Sequence, residues 1–159
     1  MASKIVTYDT FDKHILQHMQ RDTSQSLEDL AKAVNLSRNA VWRRLKRLQD
    51  SGILVARVAL LDAQAVGLGL TVFISISVST HSKDWAENFS KVIDSLPQVQ
   101  SAYRTSGNQD YLVKARVRDV QAYDDLYQQL IGKIELADVS ASFVMEELKD
   151  TTELPLPSK

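Results

Sequence analysis

The stretch NLSRNAVWRRLKRLQDSG, residues 35–52, holds residue types suited to nucleic-acid chemistry. Between Ser37 and Leu48 it carries five Arg and Lys and no acidic residue, although the whole chain has a formal net charge of -1. Arginine can grip guanine, and asparagine adenine, each through two hydrogen bonds to the base edge. Arg38 and Asn39 are therefore candidates to read bases. Arg43, Arg44, Lys46 and Arg47 are candidates for phosphate contacts, which give affinity without sequence information. A basic run is by default a solvated helix face, so the surrounding elements decide whether it is aimed at a partner.

Other chemistry is poorly represented. The chain has no cysteine, which excludes disulfides and thiolate metal sites and is compatible with a reducing cytoplasm. There is no phosphate loop and no nucleophile elbow. His14 and His18 are four residues apart and could share a metal, but they lack a third ligand, so solvent-facing imidazoles are expected and no metal site is assigned. His81 is expected to meet solvent. The adjacent pairs Asp124 with Asp125 and Glu146 with Glu147 point in different directions, which makes them poor acid/base pairs. No catalytic residue and no cofactor are expected, and the chain is not read as an enzyme.

The elements that must position the basic run are helical. TFDKHILQHMQRD spaces Phe11, Ile15, Leu16 and Met19 as one apolar stripe, with Thr10 as the expected N-cap. SLEDLAKAV follows, with Ser26 as cap, Asp29 three residues on, and Leu27, Leu30, Ala31 and Val34 inward. Ser37 then caps a third helix. At about 100° per residue, Val41, Leu45 and Leu48 fall in one sector, while Asn39, Arg43, Lys46 and Arg47 fall opposite, and Gly52 stops the helix. Two short helices joined by a tight turn, the second of them basic, describe a helix-turn-helix, whose second helix enters the DNA major groove. Trp42 lies between the two faces. It is expected to pack against the first helix, and it is included with Ser37 in the candidate DNA-binding set.

Charge divides the chain. Residues 1–57 hold ten Lys/Arg against six Asp/Glu, and residues 58–159 hold nine against fourteen. A basic front and an acidic back suggest two tasks. No apolar run reaches the ~20 residues of a membrane helix, and MASKIVTYDTFD has no apolar core of a secretory signal. ILVARVALLD reads as a strand, and AQAVGLGL, with two glycines, as a hinge. From Leu70 the pattern becomes β-α-β-β-α-β, an α+β ferredoxin-like plan. Leu70, Val72, Ile74, Ile76 and Val78 share one strand face. Trp85, Phe89, Val92, Ile93 and Leu96 face inward from one helix, and Tyr123, Leu126, Tyr127, Leu130 and Ile131 from the next. VQSAYRT and YLVKARV form a hairpin around SGNQD, and DVSASFVMEEL is the last strand. The expected boundaries are 1–56 for a helix-turn-helix, winged-helix-like domain, 57–69 for strand and hinge, and 70–159 for the ferredoxin-like domain. Two helices cover one sheet face, and a second subunit is a common cover for the other.

In order and spacing, YDTFDKHILQHMQRD, SLEDLAKAVNLS, VWRRLKRLQDSGIL, ALLDAQAVGLGLTVF, TSGNQDYLVKARV and SFVMEELKDTTELPLP resemble the Lrp/AsnC family of transcription regulators. The resemblance spans nearly the whole chain. It implies a front domain that binds double-stranded DNA, and a back domain that forms a homodimer assembling to a tetramer or octamer. It also implies a small-molecule effector, typically an amino acid, held between subunits near the loop after the third strand. In this chain that loop is Thr105, Ser106, Gly107, Asn108, Gln109 and Asp110. Asp110 can accept from an ammonium, and Ser106 with the backbone near Gly107 can donate to a carboxylate. From the residues alone the same loop is a plain hairpin turn. Tyr103, Phe143 and Met145 are candidate walls, with core packing the first expectation for each. Where the family often opens its recognition helix with a Ser-Pro-Thr-Pro-Cys-like run, this chain has SRNAV, which points to a different operator. HSKDW and the tail ELKDTTELPLP are similar to a branch that includes cysteine-responsive regulators. The alternative to a regulator is a freestanding amino-acid-sensing module that acts on an enzyme without DNA; the basic helix discriminates the two.

Overall fold

The computed structural model describes residues 7–79 and 82–157, so His81 lies outside the described residues. The chain forms two compact units, Met1–Ala59 with Lys149–Lys159, and Leu60–Leu148.

The first unit is built on α1 (Thr10–Arg21), α2 (Leu27–Ala33) and α3 (Arg38–Asp50). The N-cap of α1 is Asp9, not Thr10. Its carboxylate accepts from the Asp12 N–H at 2.9 Å, and the Asp12 carboxylate accepts from the Asp9 N–H at 3.0 Å. This reciprocal box satisfies two helix-end donors, which a threonine one residue later would not. Ile15, Leu16 and Met19 are buried as expected, but Phe11 is 44% exposed and Asp12 is fully buried. Phe11 lies instead under the Arg44 guanidinium, 5.3 Å from its ring centroid. Ser26 and Ser37 cap α2 and α3 as the sequence suggests, each accepting from an N–H three residues on. Asn35 adopts a left-handed conformation, φ 53°, just past α2, and the Leu36 N–H returns to the Ala31 carbonyl. Asparagine tolerates that conformation, and the turn to α3 is tight as a result. Gly52, φ 75°, ends α3 in the same way. The core joins Ile15, Leu30, Ala31, Val34, Val41, Leu45 and Leu48.

The tail belongs to this unit, whereas the sequence placed it in the second. Leu156 packs against the helical core. The Gln20 side-chain amide donates to the Leu154 carbonyl at 3.3 Å and accepts from the Leu154 N–H at 2.6 Å, much as a strand neighbour would. Arg21 donates to Glu153 alongside. Once docked by an apolar side chain, the segment forms these bonds at little further entropic cost.

Among the described residues, 53–62 form no strand. Val55, Val58, Leu60 and Leu61 are all exposed, and the segment has no neighbouring strand to pair with, without which β-propensity has nothing to act on. Asp62 instead caps a single turn by accepting from the N–H groups of Gln64 and Ala65, and Gly67, φ 78°, closes it.

The second unit is β1 (Leu70–Ser77), α4 (Lys83–Asp94), β2 (Val99–Arg104), β3 (Tyr111–Val117), α5 (Val120–Ile131) and β4 (Asp138–Phe143). The sheet order is β2-β3-β1-β4, antiparallel throughout, with a bulge between Val99 and Ser101. This is the ferredoxin-like plan. β4 stops at Phe143, sooner than the sequence suggests. One face carries Val72, Ile74, Ile76, Val113, Ala115 and Val117 against Phe89, Val92 and Leu96 of the α4 region and Leu126 and Leu130 of α5. Ile131 points outward, and Ile134, beyond the helix, takes the buried place. On the opposite face the register aligns Phe73 with Lys114 and Ser142, and Leu112 with Ser75 and Tyr103. The helices leave this face uncovered, as the sequence anticipates.

Candidate nucleic-acid interface and effector site

The nucleic-acid candidate is the outer side of α3. Val41, Leu45 and Leu48 turn into the core, which sends Asn39, Arg43 and Lys46 to the surface, and all three are exposed. Ser37 Oγ accepts from the Ala40 N–H at 3.2 Å, so the helix begins at Arg38 and places Arg38 and Asn39 in its first turn. Trp42 is not part of the buried helical core. It is 55% exposed, with the Lys46 ammonium 5.6 Å from its ring centroid. At helical spacing Trp42 and Lys46 lie on one edge of the outer face and stack there.

Arg44 and Arg47 are occupied differently from the free phosphate anchors that the sequence suggests. The Arg44 Nη1 donates to Asp9 Oδ2 at 2.7 Å and to Asp12 Oδ1 at 2.8 Å. Arg47 Nη2 donates to Asp12 Oδ2. The Asp9 and Asp12 hydrogen bonds hold the Arg44 guanidinium above its ordinary range. Burial pushes the Asp9 carboxyl up, but the Asp12 N–H and Arg44 outweigh it and hold that carboxyl below the usual carboxylate range. Beside this network, Leu36, Ala40, Arg43, Arg44 and Arg47 line a hollow of ≈ 310 Å³. Sequence reasoning missed Asp9 and Asp12. Their signal was a D-x-x-D pair at a helix start, the spacing of a capping box.

The candidate effector loop is exposed from Thr105 to Gln109. Its closure is explicit: the Thr105 N–H donates to the Asp110 carbonyl at 2.9 Å, and the Thr105 hydroxyl to the Gln109 carbonyl at 2.6 Å. Gly107 has φ 135°, a conformation that side chains disfavour. Asp110 Oδ2 accepts from the Val78 N–H at 2.8 Å, which ties the loop to the end of β1. Ser106, Gly107 and Asn108 form the tip. Tyr103 is exposed rather than in the core, and Met145 is 96% exposed. Phe143 does pack, edge-on to Tyr123 of α5 at 5.1 Å. A hollow of ≈ 610 Å³ between α4 and β2, lined in part by Phe89, Ile93, Tyr103, Arg104 and Tyr111, was not foreseen from sequence; it includes Tyr103 and none of the loop. Among the described residues, no group of three or more His, Cys, Asp or Glu is placed to hold a metal ion, and no helix is long and apolar enough to cross a membrane.

Two family descriptions match the chain: the AsnC-type helix-turn-helix domain over residues 9–49, and the Lrp/AsnC ligand binding domain over residues 71–154. The chain belongs to the Lrp/AsnC family. Similar proteins include the glutamate uptake regulatory protein of Zymomonas mobilis, 45% identical over 94% of this chain and 91% of that protein. The DNA-binding transcriptional activator DecR of Escherichia coli is 44% identical over 93% of this chain and 98% of that protein. A transcriptional regulator of Neisseria meningitidis, solved as a complex with L-methionine, is 36% identical with a TM-score of 0.89, covering 94% of this chain and 97% of that one. The helix-turn-helix and the four-stranded antiparallel α+β unit described above are thus the two Lrp/AsnC domains, and these relatives are transcription regulators.

Proposed function

We propose that this Lrp/AsnC protein is a sequence-specific regulator of transcription that binds double-stranded DNA through α3 and is controlled by an amino acid. The observation that carries this most directly is the outer face of α3, where Arg38, Asn39, Arg43 and Lys46 stand exposed behind the Ser37 cap. Arg38 and Asn39 read base edges from the first turn, and Arg43 and Lys46 anchor phosphates. Trp42, steadied by Lys46, offers an apolar edge to the groove. Arg44 and Arg47 stand beside them, each with a carboxylate partner.

The effector binds at Tyr103, Thr105, Ser106, Gly107, Asn108 and Asp110. The loop is exposed in one chain and lines none of the hollow that includes Tyr103, so a neighbouring copy of the second unit completes the site. A homodimer, assembling further to a tetramer or octamer, supplies it. The labour divides with the units: the helical unit around residues 1–56 meets DNA, 57–69 serve as hinge, and the sheet unit from residue 70 senses and assembles. The chain works in the cytoplasm, without a cofactor and without catalysis. The L-methionine complex of the Neisseria relative supports an amino-acid effector.

The test is binding to the promoter region of the protein's own gene, titrated with a panel of amino acids including methionine, glutamate and cysteine. The expected result is specific binding whose midpoint shifts at least fivefold with one of them, as a coupling of about 1 kcal/mol or more requires. Binding indifferent to the whole panel would return the loop to a plain turn. A response to an amino acid without DNA binding would favour the freestanding sensor.

A further inference from the structure

We propose that Asp12 is a positioning residue for DNA recognition, an inference that rests on the DNA-binding function above: it withholds Arg44 and Arg47 from the phosphate backbone, so that only part of the cationic helix anchors DNA.

The carboxylate of Asp12 is fully buried between α1 and α3, and both its oxygens are engaged. Oδ1 takes Arg44, and Oδ2 takes Arg47 together with the Asp9 N–H. A buried carboxylate stripped of its cationic partners is far costlier than an exposed arginine that forgoes one phosphate. Arg44 is doubly committed, since the same Nη1 also serves Asp9 and its guanidinium lies over Phe11. Of the five cations on α3, three therefore remain for DNA: Arg38 in the first turn, and Arg43 and Lys46 on the outer face. Asp12 gives Arg44 and Arg47 the anionic partner that a phosphate would otherwise be. It fixes the direction of two guanidiniums on the recognition helix and lowers its sequence-blind attraction for DNA, which favours discrimination over raw affinity.

The salt dependence of binding counts phosphate contacts, with the log–log slope changing by about 0.9 for each one. For the full-length protein on its operator and on an unrelated duplex, Asp12→Asn keeps the volume and an acceptor for the Asp9 N–H but removes the charge that holds the arginines. The expected result is a slope steeper by about 0.9 to 1.8, one to two added phosphates, with tighter binding to the unrelated duplex and a smaller operator preference. A purely structural Asp12 would weaken binding to both duplexes and leave the slope unchanged; that outcome overturns the proposal. Should Asp12→Asn fail to fold, Arg47→Gln decides beside Arg43→Gln. Arg43→Gln is expected to remove about 0.9 from the slope, and Arg47→Gln much less. Equal losses would show that Arg47 is an ordinary phosphate anchor and would overturn the clamp while leaving DNA binding intact. An unaltered protein that binds no DNA would remove the function itself, and the clamp with it.

Discussion

Arg38→Ala or Asn39→Ala is expected to cost about 1–3 kcal/mol of discrimination at the base pair each residue meets, while leaving binding to unrelated DNA nearly unchanged. Arg43→Ala is expected to weaken binding to every sequence alike and to reduce the salt slope by about 1. The difference follows from place on the helix. Ser37 fixes the first residue of α3 by capping it, so Arg38 and Asn39 lie at the end of the helix that, in the proposed docking, enters the groove. Arg43 lies a turn and more further on, on the outer face, where the proposed docking sets it against phosphate rather than base edges. Neither Arg38 nor Asn39 is buried, and neither contributes to the core, so alanine at either position leaves the fold intact. Paired affinity measurements on an operator and on scrambled DNA check the split. If all three variants lose specific and unrelated binding in the same proportion, the assignment of base-reading to the first turn is wrong.

Ile15→Ala should destabilise the helical unit by about 2–5 kcal/mol, and Ile74→Ala should do the same to the sheet unit. Each side chain is nearly or fully removed from solvent at the centre of its own cluster. Removing three methyl or methylene carbons leaves a cavity that close-packed neighbours fill only in part. The two cores share no residue. Hydrogen exchange followed segment by segment should therefore show Ile15→Ala opening residues 10–50 while the protection of 70–143 is retained, and Ile74→Ala the reverse. Equal loss of protection across both units from either substitution would mean that the two cores unfold as one.

Some of this architecture was legible in the sequence because single elements declared themselves. The alternation of Val72, Ile74 and Ile76 and the spacing of Phe89, Val92 and Leu96 each have one face to bury, and each is buried as its period demands. The caps at Ser26 and Ser37 and the stop at Gly52 are local chemistry and were equally plain. What failed depended on distant partners. The segment 53–62 has the composition of a strand, but among the described residues it has no strand to join. Phe11 fits the apolar stripe, yet the α1–α3 contact is closed at that height by Asp12 with Arg44 and Arg47, an arrangement no period reveals. Trp42 falls between the two faces of α3, where the sequence suggests packing against α1, and the helix leaves it exposed on the flank with Lys46. The tail is a polar, Pro-containing segment without periodicity. Its docking through Gln20 and Leu156 is specific to this pairing of surfaces. For the candidate effector loop, Gly, Asn and Asp announced a turn, but not that Asp110 would spend one oxygen on the Val78 N–H.

In the proposed docking, α3 reads DNA as a groove-binding helix presented in two copies. Footprinting of the full-length protein on its own promoter, at two salt concentrations, tests it most directly. The expected pattern is protected major-groove segments on one face of the duplex, centred about 10–10.5 base pairs or a multiple apart, with occupancy falling steeply between roughly 50 and 200 mM salt. Protection with no helical phase, or no binding at low salt to any duplex tested, would contradict it.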